Sequence, residues 1–298
     1  ISAHYNPASY TITRLPGTIV GTSSSTIGGI AIDVFVNPVK NIAYANPNKS
    51  FLNPNSGEME LINTDTGKII KVLPSFLGPG YSFQEFTVSH NGKYAIQELY
   101  NMLSDQTVFL QLDLDSENPL WYVVISGSSV PAVYSNDDTV VYIRNMGLVD
   151  AYKTSNGNLI VSYAGGVSAY GKYWGSEIAA RGDGFMHTNM YSALSPTVEK
   201  VTLQPLSVMS IPLQSNFVGK SLGSQSGKYL AVGYDHISAI AQGIPALNPS
   251  VSITDGINMC RVDDLPNFSG TPGPFDMTFS PKDDTLYYIL DEYVGSTA

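Results

Sequence analysis

The chain has 298 residues, of which 43% are hydrophobic and 13% charged, and its 25 acidic against 15 basic side chains leave a net charge of −10. That hydrophobicity with so little charge excludes a disordered chain, and the acidic balance argues against a nucleic-acid backbone as partner. No run approaches 18 uncharged apolar residues, the least a membrane-spanning helix needs.

Read along the chain, one unit recurs: a turn of Ser, Asn, Asp and Gly, then a short apolar or aromatic run. It first appears as Asn37-Pro38-Val39-Lys40-Asn41 before Ile42-Ala43-Tyr44, then as Ser89-His90-Asn91-Gly92-Lys93 before Tyr94-Ala95-Ile96. Ser135-Asn136-Asp137-Asp138-Thr139 precedes Val140-Val141-Tyr142-Ile143, and a weaker copy, Arg181-Gly182-Asp183-Gly184, precedes Phe185-Met186. Ser224-Gln225-Ser226-Gly227-Lys228 leads into Tyr229-Leu230-Ala231-Val232, and the Ser280–Thr285 turn into Leu286-Tyr287-Tyr288-Ile289. Anchored at 41, 93, 139, 184, 228 and 285, the six copies are spaced by 44 to 57 residues. Each has a second half of two runs joined by a Gly-containing turn. Examples are Met59–Asn63 through Thr64-Asp65-Thr66-Gly67 into Lys68–Val72, and Leu148–Tyr152 through Thr154-Ser155-Asn156-Gly157 into Asn158–Val161.

The unit therefore reads as four strands, A to D, with tight A–B and C–D turns and variable B–C loops. Four strands at this period predict an all-β, six-bladed β-propeller of antiparallel blades in one domain, 1–298. A seventh blade fits only if residues 235–274 hold an extra strand pair. The last copy lacks its C–D hairpin and the chain starts with a hairpin lacking A–B. A closing blade from about 8–22 plus 275–298 would seal the ring and leave no open sheet edge.

At Tyr142-Ile143-Arg144-Asn145, followed by the Thr154-to-Gly157 hairpin, the chain resembles the YVTN-type propeller repeats; Tyr44-Ala45-Asn46 and Ser280-Pro281-Lys282-Asp283-Asp284 echo the same pattern. Copies two, four and five depart from it at Glu98, Asn189 and Gly233. The resemblance implies a secreted or surface-layer-associated protein of archaea or bacteria, and carries no catalytic residue with it.

Function is expected on the loop face, where the B–C connections are long at 47–57 and 235–256 and moderate at 100–106 and 190–197. Polar groups at the B-strand ends would gather there: Asn46, Glu98, Arg144, Asn189, Asp235 and Asp291, with Tyr100 and Tyr234 standing past their strands as flat contact surfaces for a sugar or a protein. The plainer account is that these side chains satisfy loop backbone and water, and that the tyrosines pack between blades. His187 and His236 follow neighbouring B strands and with Asp235 could form a two-His-one-carboxylate metal site, although no ligand spacing supports it. His90 lies in an A–B turn on the opposite face.

Nucleophile motifs fail. Gly223-Ser224-Gln225-Ser226-Gly227 carries Gln at the nucleophile position of a G-x-S-x-G elbow, and Gly219-Lys220-Ser221 lacks the first glycine and the helix of a phosphate loop. Cys260 reads as an inert thiol in a C strand, and Arg181-Gly182-Asp183 as an ordinary turn. Of the paired carboxylates, Asp291-Glu292 alone falls on the loop face, where with Glu98 it could serve as an acid/base pair.

Two triplets, at Asn48 and Asn267, have the form of glycosylation acceptors, and the start at Ile1 fits a removed leader. Together these features lead to the expectation of a secreted, non-enzymatic propeller, with no cofactor and no catalytic residue. It would bind a protein or glycan outside the cell or assemble with copies of itself or an envelope protein, on an envelope, appendage or virion. The alternative is a secreted hydrolase or lyase, or a periplasmic dehydrogenase-type propeller, with its site at the channel mouth.

Overall fold

A computed structural model describes residues 34–46, 58–78, 80–127, 130–145, 148–164, 178–189, 196–213, 218–234, 251–265, 274–280 and 284–290. Among these, every regular element is a strand, and each strand pair is antiparallel between chain neighbours. They fall into two compact units, one of residues 19–163 and one of residues 1–18 with 164–298.

The unit of residues 19–163 holds three four-stranded sheets. The first is β1 (Val34–Val36), β2 (Ile42–Ala45), β3 (Met59–Asn63) and β4 (Ile69–Leu73). The second is β5 (Tyr81–Val88), β6 (Tyr94–Asn101), β7 (Gln106–Asp113) and β8 (Asn118–Ser126). The third is β9 (Val130–Tyr134), β10 (Val140–Asn145), β11 (Leu148–Lys153) and β12 (Leu159–Tyr163). β1 lies against β5 and β5 against β9, so the A strands are the inner members and the D strands the outer edges.

The other unit repeats the plan. Its fourth sheet is β13 (Ala179–Arg181), β14 (Gly184–Asn189), β15 (Thr197–Leu203) and β16 (Leu206–Pro212). The fifth is β17 (Val218–Gly223), β18 (Tyr229–Tyr234), β19 (Val251–Asp255) and β20 (Cys260–Leu265), and the sixth the pair β21 (Pro274–Phe279) and β22 (Leu286–Leu290). The expected closing hairpin at 8–22 lies outside the described residues.

The A–B turns work as the sequence suggests, through one local device. Ser89, Ser135 and Ser224 each accept the N–H of the residue five positions on (Tyr94 at 2.9, Val140 at 3.0 and Tyr229 at 3.0 Å) on a buried hydroxyl. The fourth turn residue adopts positive φ: Gly92 at 67°, Asp138 at 57° and Gly227 at 68°. Glycine enters that region freely and aspartate is among the few others that tolerate it. This residue also hooks the preceding turn. Gly92 O accepts from Asn37 Nδ2 at 2.9 Å, and the Asp138 carboxylate accepts the N–H groups of His90 (2.9 Å) and Asn91 (2.8 Å). In the other unit Asp284 accepts from Ser226 Oγ at 2.8 Å.

The cores lie between consecutive sheets. Tyr44, Leu61, Phe83, Phe86 and Leu99 fill the layer between the first and second, with the Tyr44 and Phe86 rings 5.0 Å apart. Ile96, Phe109, Tyr134, Val141 and Ile143 fill the next. Met186, Val198, Leu230 and Val232 join the fourth sheet to the fifth, and Leu222, Ala231, Met277 and Phe279 the fifth to the sixth.

The structure differs from the sequence expectation in two elements. Residues 251–255, expected within a loop, form strand C of the fifth sheet, so Cys260 starts strand D and is exposed. The fourth A–B connection is a two-residue hairpin, Gly182-Asp183, with Arg181 opposite Gly184. It lacks the five-residue turn of its neighbours, 135–139 and 224–228.

Candidate functional site

Several polar residues at the ends of the described B strands are buried. Asn46 is fully buried and donates from Nδ2 to Glu58 O at 2.8 Å, which satisfies the start of the next strand. Glu98 lies inside β6, buried, opposite Phe109, and therefore on the face that packs against the third sheet. Arg144 is buried on the alternate face of β10 from Val141 and Ile143, away from the second sheet. Burial pushes its guanidinium down to about 10. All three are buried, on three different sheets.

The two tyrosines lie within their strands and not past them. Tyr234 closes β18 almost fully buried, with its hydroxyl on Ser252 Oγ at 3.1 Å. Tyr100 is part of β6 and donates to Asp105 Oδ1 at 2.9 Å, a bond to a carboxylate that raises its phenol. Asp235, Asp291, His236, Asn48 and Asn267 lie outside the described residues.

His187 does not follow its strand; it sits inside β14, fully buried, opposite Glu199. Its Nε2 lies 3.2 Å from Glu199 Oε2, while Asn189 Nδ2 donates to Glu199 Oε1 at 2.7 Å. This His–Glu–Asn set is a cross-strand network inside a sheet. Among the described residues, no three His, Cys, Asp or Glu side chains come together as a metal site. Glu60, buried in β3, has its carboxyl raised by desolvation, with Oε2 lacking any hydrogen-bond partner. Tyr152, raised to about 12 by burial and then by Asp150, is likewise held between sheets.

Two surface features remain. Arg181, Asp183 and Lys200 line a shallow depression with Gly227 and Gly256 on the turn face, and Arg181 Nε is tied to Asp183 Oδ1 at 3.0 Å. The second was missed in the sequence: the outer strands present apolar side chains to solvent. Ile70 and Val72 do so in β4, Leu120, Tyr122 and Val124 in β8, and Leu206, Val208 and Met209 in β16. The signal was the absence of charge over Asn118–Ser126 and Leu206–Pro212. Natural edge strands are usually guarded by charged residues.

No family model matches the chain, and no curated protein matches it in sequence. Solved structures do. Hsv2 from Kluyveromyces lactis is similar over 88% of this chain and 72% of its own, with a TM-score of 0.59 at 12% identity. Hydrazine synthase from Kuenenia stuttgartiensis is similar over 93% of this chain and 77% of its own, with a TM-score of 0.52 at 15% identity. The dihydro-heme d1 dehydrogenase NirN is similar over 86% of this chain and 49% of its own, with a TM-score of 0.51 at 14% identity. At such identities the likeness speaks for architecture and for nothing finer. With the repeated antiparallel sheets it identifies the fold of this chain as a β-propeller.

Proposed function

We propose that this chain is an extracellular propeller that acts by recognition or assembly at an envelope, appendage or virion surface. The observation that carries the reading is the outer rim of the sheets, where β8 and β16 expose leucine, valine, methionine and tyrosine with no charged residue in either strand. Apolar surface of this kind is favoured where something covers it. Among the described residues, Glu98, Arg144, His187 and Glu60 are buried in the sheets. A catalyst would hold shifted groups around an opening.

The YVTN-like segment Tyr142–Asn145 and the acceptor triplets at Asn48 and Asn267 support the same setting. The test is surface labelling of native material with antibody against the folded chain, together with mass analysis of peptides spanning Asn48 and Asn267. The reading expects label outside the cell or particle and glycan on at least one asparagine; label confined to the cell interior overturns it.

A further inference from the structure

We propose that the outer edge of β8 is a self-association site, at which a second copy of this chain adds its own β8 in antiparallel register. The proposal deepens the assembly reading above and rests on it.

β8 ends its sheet, so no described strand pairs with its outer edge. The register fixes which backbone groups that edge presents. Gly127 N–H donates to Asp105 O at 2.7 Å, and Ile125 and Val123 oppose Thr107 and Phe109. In an antiparallel ladder the bonded positions alternate. Ile125 and Val123 therefore turn their N–H and C=O toward β7, while Tyr122, Val124 and Ser126 turn theirs outward. Tyr122 and Val124 also expose their side chains, at 67% and 45%.

The occupant follows from charge and symmetry. Two chains of net charge −10 repel over most of their surface, so copies meet most readily where neither carries charge. β8 is the longest of the described strands, with nine residues and no ionisable group but Tyr122. The outer strand β4 is interrupted by Lys71, and β20 by Arg261, Asp263 and Asp264. An edge that meets itself about a two-fold axis is automatically complementary. Centred on Val123, the pairing sets Tyr122 opposite Val124 of the partner subunit and Val124 opposite the partner's Tyr122. The pair forms about four reciprocal backbone bonds and buries an aromatic against a β-branched side chain on each side.

The test is sedimentation of the full chain over a concentration series. Tyr122→Pro removes an outward N–H without touching the β7 ladder, a position where proline is tolerated in an edge strand. The parent is expected to show a concentration-dependent dimer, and Tyr122→Pro to weaken it by about tenfold or more. Val124→Lys, which keeps the backbone intact and places like charges across the axis, should weaken it comparably if the proline variant melts early. Val208→Lys in β16 should leave the dimer unchanged. A parent that stays monomeric, a dimer indifferent to both β8 variants, or equal weakening by Val208→Lys overturns the proposal. A monomeric chain that still labels the exterior sinks the pairing alone, and a dimer found only inside the cell sinks the extracellular reading.

Discussion

Asp138 offers a sharp test of how consecutive sheets are held. Its carboxylate, 6% exposed, accepts the N–H of His90 at 2.9 Å and of Asn91 at 2.8 Å, and lies 2.9 Å from His90 Nδ1. All three contacts cross from the third sheet's turn to the second's. Hydrogen bonds to a charged group contribute about 1.5–3 kcal/mol each. Partial access of water to the turn discounts the two backbone bonds to a total of about 3 kcal/mol for Asp138→Ala. Alanine must also hold φ at 57°, which costs about 1 kcal/mol that glycine does not incur. Asn keeps one neutral acceptor and should lose about 1–2 kcal/mol. The expected order is therefore parent, Asn, Gly, Ala, read from urea midpoints at unchanged slope with Trp121 fluorescence as the reporter. An Ala variant within about 0.5 kcal/mol of the parent, or a Gly variant no better than Ala, would refute the reasoning.

Other consequences follow the same physics. Gly92→Ala should destabilise by about 2–4 kcal/mol in thermal unfolding, because φ is 67° and a Cβ there falls 2.3 Å from Asn37 Oδ1. Glu60→Gln should raise the unfolding midpoint at neutral pH. The raised carboxyl of Glu60 makes its favourable contribution below the ordinary glutamate range and loses it as pH rises, so the gain should vanish in acid. Tyr152 should resist spectrophotometric titration until about pH 12. Because its folded value lies above the unfolded one, its contribution is intact below the ordinary tyrosine range and is lost through the window up to about 12. Tyr152→Phe should flatten that alkaline limb.

The strands were legible because the turns are local. Ser89, Ser135 and Ser224 close their turns within six residues, and a serine followed by Asn, Asp or Gly announces this without any tertiary information. Strand β19 was also there to be read, since Val251-Ser252-Ile253-Thr254 alternates, but its place inside a long connection concealed it. His187 was misplaced because the fourth connection is shorter than its siblings, and a change of turn length shifts every later side chain relative to the other copies. Glu98 and Arg144 were expected in the open because charged residues usually are. The burial of Glu98 depends on the third sheet, which no single repeat specifies. The apolar rim was visible only as missing charge, a weak signal until the sheet order placed β8 and β16 on the outside.

Among the described residues the second, third and sixth A–B turns each hook the turn before them, while the connections at the other end of the strands vary in length. β10 and β11 are joined by two residues, β18 and β19 by sixteen, on sheets of the same plan. Lengthening a flexible connection costs little, about 0.6 kcal/mol per doubling. Such a scaffold can exchange whole segments on that side without renegotiating its interior. It is a ready platform for grafted epitopes, and gives a lineage room to diversify what it displays while its framework stands still.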